Sequence, residues 1–113
     1  MGHWHDVVED LKGPTRSLRD AIPEAWKGFG AMHKGAMSEG ELPVAMKEVI
    51  ALVLAVAQQC DGCIAYHARG AVRHGATPGQ VAEALGVALL MMGGPATVYG
   101  PRAWAAYNEY LEG

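Results

Sequence analysis

Residues 49 to 63 read Val49-Ile50-Ala51-Leu52-Val53-Leu54-Ala55-Val56-Ala57-Gln58-Gln59-Cys60-Asp61-Gly62-Cys63, and the reading of this stretch decides the fold. The apolar run follows Lys47 and Glu48. It does not alternate with a period of two, which argues for a helix over a half-buried strand. Leu85 to Met92, Leu-Gly-Val-Ala-Leu-Leu-Met-Met, has the same character. Helices that are apolar nearly all round are expected to be buried on every side. No other segment alternates convincingly over strand length, so the predicted class is all-α. Lys47 and Glu48 bound the first run and Gly93-Gly94-Pro95 ends the second. Both therefore fall short of the roughly 18 to 20 apolar residues that span a bilayer, and no membrane span is expected.

Working outward, the long helix is predicted from the region of Pro43, a good first-turn residue, to about Gln58. The apolar pattern breaks over Gln59 to Gly62, and the next helix carries Cys63 to Arg73, closed by His74-Gly75 with glycine as the C-terminal cap. Thr77, Pro78 and Gln80 spell a capping-box start for a helix reaching about Met92. Gly93-Gly94-Pro95 is a breaker. A last helix then spans Ala96 to Leu111, kinked or delayed by Gly100-Pro101. Upstream, Ser38 to Pro43 is a turn. The first 40 residues are read as a helix from His3 to Lys12, a turn at Gly13-Pro14, and an amphipathic stretch from Thr15 or Pro23 to Met37.

The chain of 113 residues, half of them hydrophobic, corresponds to one domain. A chain this short buries a limited share of its surface, so its apolar surplus points to a partner subunit. A net charge of −3 with Lys and Arg scattered along the chain excludes a nucleic-acid footprint. The segment Met1 to Asp6 has neither a basic nor an apolar export region, so the expected location is cytoplasmic. Thiols are kept reduced in that compartment, and a close cysteine pair there is more often catalytic or metal-binding than structural.

Cys60 and Cys63 are the only cysteines, and a C-x-x-C pair closes a disulfide with little backbone movement. With Cys63 in the first turn of a helix, the unsatisfied N–H groups and the helix dipole stabilise its thiolate. His67 follows four residues later on the same face, placed to take the thiol proton. Glu48 lies on the preceding helix. An antiparallel turn near Gln59 brings it toward the level of His67, a few residues of rise apart, so that Glu48, His67 and Cys63 form a possible proton relay. Two other readings stand beside this one. The cysteines could be small buried hydrophobes, or Cys60, Cys63 and His67 could bind zinc with Glu48 or His74 as fourth ligand. Glu48 on its own reads as a solvated helix residue like Lys47, and the apolar run behind it shifts it toward a buried carboxylate. His3, His5, His33 and His74 read as surface residues, and Trp26, Met32, Trp104 and Tyr107 as core or interface.

Glu48, Cys60-x-x-Cys63 and His67, followed by Ala68-Arg69-Gly70-Ala71-Val72-Arg73-His74-Gly75-Ala76-Thr77 and the helix at Glu83, together resemble the AhpD-like alkylhydroperoxidases of the carboxymuconolactone decarboxylase superfamily. The resemblance covers residues 43–94. It implies an all-helical bundle with the C-x-x-C at the start of a central helix, assembled as a homotrimer or hexamer. It also implies thiol-dependent reduction of hydroperoxides without a cofactor or metal. By matching position, Cys63 is the activated cysteine, Cys60 its disulfide partner, and Glu48 and His67 the relay; an external dithiol or thioredoxin-like reductant would reset the pair. One departure stands out: the best-known enzyme type of the family has a histidine just before the second cysteine, where this chain has Gly62. The alternative functions on the same fold are a decarboxylase or isomerase of the wider superfamily, or a small-ligand-binding oligomer with a sensing disulfide.

Overall fold

In a computed structural model, which describes residues 2–113, the chain forms six α-helices and, among the described residues, no strand. They are α1 (His3–Ala21), α2 (Pro23–Met37), α3 (Val44–Gln58), α4 (Asp61–Arg73), α5 (Pro78–Met92) and α6 (Gly94–Glu112). The all-α expectation holds. Helix α4 is central, packed mainly between α3 and α6, while α5 lies on α6 and α3, and α1 closes over α4. Leu52, Val56, Ile64, Val81 and Tyr107 are the largest fully buried side chains. Between them, alanines fill the buried faces of α4 and α6, among them Ala65, Ala68, Ala103 and Ala106. Small residues on both sides let the two helix axes approach closely.

Several boundaries have local causes. Thr77 and Gln80 form the expected capping box: the Gln80 N–H donates to Thr77 Oγ1 at 3.2 Å and the Thr77 N–H to Gln80 Oε1 at 3.0 Å. Helix α3 ends at Gln59, which has φ 55°, the only non-glycine residue with positive φ among those described. The Cys60 N–H then returns to the Ala55 carbonyl at 3.1 Å. This left-handed cap reverses the chain within two residues and starts α4 at Asp61, two residues before the predicted start at Cys63. Gly75, with φ 86°, follows the end of α4, and the predicted glycine cap is present.

The Gly13-Pro14 turn is not formed; α1 runs through Pro14 to Ala21. Pro14 removes one hydrogen bond to the carbonyl four residues earlier, that of Asp10. Asp10 is exposed, so that oxygen can be hydrated. The break comes instead at Ile22, because the residue before a proline is disfavoured in the helical region and Pro23 opens α2. Similarly, α6 begins at Gly94 and continues through Pro101. The carbonyl that Pro101 leaves unpaired belongs to the exposed Thr97. The two apolar runs are not buried on every side either. On the single chain Ile50, Leu54, Val87, Leu90 and Met91 are exposed, Leu90 by 81%. Helix α2 buries no residue at all; Met32 is exposed and Trp26 half-buried. Among the described residues no helix is long and apolar enough to cross a membrane.

Candidate active site

Cys60 is the N-cap of α4 and Cys63 its third residue, so the Cys63 N–H donates to Cys60 Sγ at 3.2 Å. The two sulfurs are disulfide-bonded, with Cα atoms 5.3 Å apart. When the pair is reduced, the same N-terminal N–H groups and the positive end of the helix face the sulfurs and stabilise a thiolate. One turn further along α4 lies His67, whose Nδ1 is 2.7 Å from Glu48 Oε1 on α3. Both side chains are mostly buried, 24% and 12% exposed. A carboxylate on Nδ1 orients the ring and holds it in the tautomer whose Nε2 accepts a proton.

The contact is direct, where the sequence left a gap of a few residues of rise. Two features close it. The left-handed cap at Gln59 makes the α3–α4 reversal tight. Gly70, one turn beyond His67, leaves room for the Glu48 carboxylate, into which a Cβ at that position would collide. Gly70 was not singled out in the sequence, although a glycine in the middle of a helix is a signal that something approaches the backbone.

Asp61, between the cysteines, is also committed. Arg102 on α6 grips it with Nε to Oδ1 at 3.1 Å and Nη2 to Oδ2 at 2.5 Å, and this hydrogen bond raises the pKa of the guanidinium further. The guanidinium lies over the Trp4 and Tyr99 rings at 5.2 and 5.8 Å. The turn that carries the cysteines is thereby tied to α6 and α1, and the Asp61 charge is compensated. A pairing between residues 41 positions apart leaves no periodic trace in a sequence.

Both cysteines, Glu48 and His67 open on one cavity of about 570 Å³. It is also lined by Phe29 and His33 of α2, by Tyr66, Arg69 and Arg73 of α4, and by His74 just after that helix. His33 and His74 are exposed, as expected, but His5 is not a free surface residue. Its backbone N–H and its Nδ1 both meet Glu109 Oε2, at 2.7 and 2.5 Å. Among the described residues no three His, Cys, Asp or Glu side chains converge in a geometry that would hold a metal ion.

Fold and site together define an all-helical protein with a disulfide at the N-terminus of its central helix, backed by a carboxylate–imidazole pair. The chain belongs to the carboxymuconolactone decarboxylase family, whose family model matches residues 23–108. It is 41% identical over 92 residues to an uncharacterized protein of Cupriavidus necator, covering 81% of each chain. It is 38% identical over 97 residues to "uncharacterized protein 4 in cox locus" of Paracoccus denitrificans, covering 86% of this chain and 85% of that protein. Among solved structures it superposes on a carboxymuconolactone decarboxylase family protein from Legionella pneumophila. The TM-score is 0.93 at 35% identity, covering 96% of both chains.

Proposed function

We propose that the protein reduces hydroperoxides with electrons from a dithiol, using Cys60 and Cys63 as the redox couple. The observation that carries this reading is the Glu48–His67 hydrogen bond of 2.7 Å one helical turn from Cys63. In the reduced protein His67, oriented by Glu48, takes the proton of the Cys63 thiol, and the thiolate is stabilised by the start of α4. The sulfur attacks the terminal oxygen of the hydroperoxide. An S–O bond forms, the O–O bond breaks, and the leaving alkoxide takes the proton back from His67 as an alcohol. The Cys60 thiol then condenses with the Cys63 sulfenic acid, releasing water and forming the disulfide. An external dithiol or thioredoxin-like reductant returns two electrons and two protons by thiol–disulfide exchange.

In this reading Cys63 is the attacking cysteine, Cys60 the resolving one, and Glu48 and His67 the proton relay. No cofactor is required. A compartment that keeps thiols reduced, the cytoplasm, suits this chemistry. The exposed apolar faces of α3 and α5 support assembly as a homotrimer or hexamer.

The test is steady-state consumption of an organic hydroperoxide with a dithiol reductant in excess. Cys63→Ser is expected to abolish consumption while helicity and oligomeric state are kept. Consumption unchanged in that variant contradicts the proposal.

A further inference from the structure

The cavity beside the disulfide is charged in one sense. Of its lining residues only Glu48 is acidic, and its carboxylate is taken up by His67. Arg69 and Arg73, further along α4 than Cys63, line it without an ion-pair partner among the described residues, although the chain as a whole carries a net charge of −3. On their other side the two arginines border a second cavity that holds Asp6 and Glu9. Glu9 is paired with Lys12 at 2.8 Å, and neither acid lines the disulfide cavity. The Arg69 guanidinium is placed over the Tyr66 ring, 5.2 Å from its centre. The lining is partly apolar, with Phe29 of α2, 58% exposed, and Tyr66 of α4 both part of it.

Spacing sets the shape of the ligand. Along α4, the Cα atoms of Arg69 and Arg73 lie about 9 and 15 Å beyond that of Cys63, taking 1.5 Å of rise per residue; the Arg69 guanidinium folds back over Tyr66, so Arg73 marks the distant end. A group that reacts at Cys63 and reaches Arg73 is therefore extended, passes Phe29 and Tyr66, and suits these guanidinium groups when its distant end is anionic. We infer that the reactant of this site is an acyl chain that carries its hydroperoxide at or along the chain and a carboxylate at one end, the carboxylate held by Arg69 and Arg73. Guanidinium groups suit a carboxylate because both are planar and meet through paired hydrogen bonds. A cleft lined by one sign of charge also raises the local concentration of the opposite ion. The inference rests on the peroxidase reading for the reaction: the chain hydroperoxide is reduced at Cys63 and leaves as the corresponding hydroxy acid. The binding claim has its own test.

Reduced protein is alkylated with iodoacetamide in the presence of dodecanoate or of dodecanol, each kept below self-association. The fully reduced protein is then also supplied with linoleic acid hydroperoxide or its methyl ester under a dithiol reductant. Both measurements are repeated in Arg69→Gln/Arg73→Gln, with circular dichroism to check its helices. Dodecanoate is expected to slow alkylation of Cys63 and dodecanol not to. The acid is expected to be reduced about tenfold faster than the ester in kcat/KM, the low end of the gain from a charged cleft. Both preferences should collapse toward one in the double variant. Equal protection by acid and alcohol, or an acid-to-ester ratio that the double variant leaves unchanged, overturns the inference while hydroperoxide turnover leaves the peroxidase reading intact. Carboxylate-selective protection without turnover of either hydroperoxide has the opposite meaning: the anion site stands and the peroxidase reading falls.

Discussion

A methyl group at position 70 has nowhere to go except into the Glu48 carboxylate. That carboxylate is the end of a flexible side chain, so Gly70→Ala is expected to fold. Alanine also favours the helix over glycine by about 1 kcal/mol, so the melting temperature should hold or rise. The displaced Glu48 no longer holds His67, and the rate of Cys63 oxidation by hydroperoxide should fall at least about tenfold, part of what a positioned proton acceptor supplies. Stopped-flow oxidation beside thermal melts separates the two effects; a slower reaction with a matching loss of stability would argue for simple misfolding. Glu48→Gln keeps the shape and removes the charge, and should slow the same step by about a hundredfold, the low end for general acid–base catalysis. A rate equal to wild type would remove Glu48 from the relay. Cys60, Cys63 and His67 were legible as a group because helical spacing is local. The reach from Glu48 to His67 was legible only as a possibility, since it depends on Gly70 and on the conformation of Gln59. Asp61 was in view throughout, but its partner Arg102 was not, because nothing local links the two.

At the scale of an element, α1 is held at its start by a residue of α6. Glu109 accepts the Trp4 N–H at 3.1 Å and the His5 N–H at 2.7 Å, and thus caps the helix from outside. Burial works against the charge of Glu109, but the His5 and Trp4 hydrogen bonds and the His5 ring outweigh it, and its carboxyl sits below the usual carboxylate range. A carboxyl that is lowered in the folded state contributes stability that is complete above its unfolded value, about 4.3. That contribution is lost as the pH falls through the lower folded value. Glu109→Gln should therefore cost about 1 kcal/mol at neutral pH, the usual value of a helix cap. It should also flatten the acid limb of stability against pH, followed by urea unfolding. An acid limb as steep as that of the wild type would assign the effect to other carboxylates. The capping box at Thr77 could be read from three neighbouring residues, whereas this tertiary cap joins positions 105 apart and could not. The proline in α1 is a related case: a proline inside a helix is tolerated more easily where the carbonyl it frees can be hydrated, and exposure is not a local property.

In the whole molecule, part of the apolar surplus of the sequence lies on the surface of the single chain. Leu54, Val87, Leu90, Met91 and Val98 are each more than half exposed on the single chain, and apolar area of this kind is a usual mark of an interface. Sedimentation equilibrium is expected to give three or six times the monomer mass of 12.0 kDa, with Leu90→Glu shifting it downward. A wild-type monomer at micromolar concentration would contradict the assembly. The fold class and helix order were readable because long apolar runs and caps are strong signals. The outward half of α3 and α5 was not, since a run that is apolar on all sides does not say which side stays exposed on the single chain.

The central claim is that Cys63 attacks a hydroperoxide and Cys60 resolves it. The direct measurement is the intact mass and free-thiol content of fully reduced protein after brief exposure to one equivalent of an organic hydroperoxide, beside Cys60→Ser and Cys63→Ser. The account predicts that the wild type rapidly loses two hydrogens, that Cys60→Ser gains one oxygen on Cys63, and that Cys63→Ser stays reduced. Thiols that oxidise no faster than free cysteine in all three proteins would contradict it.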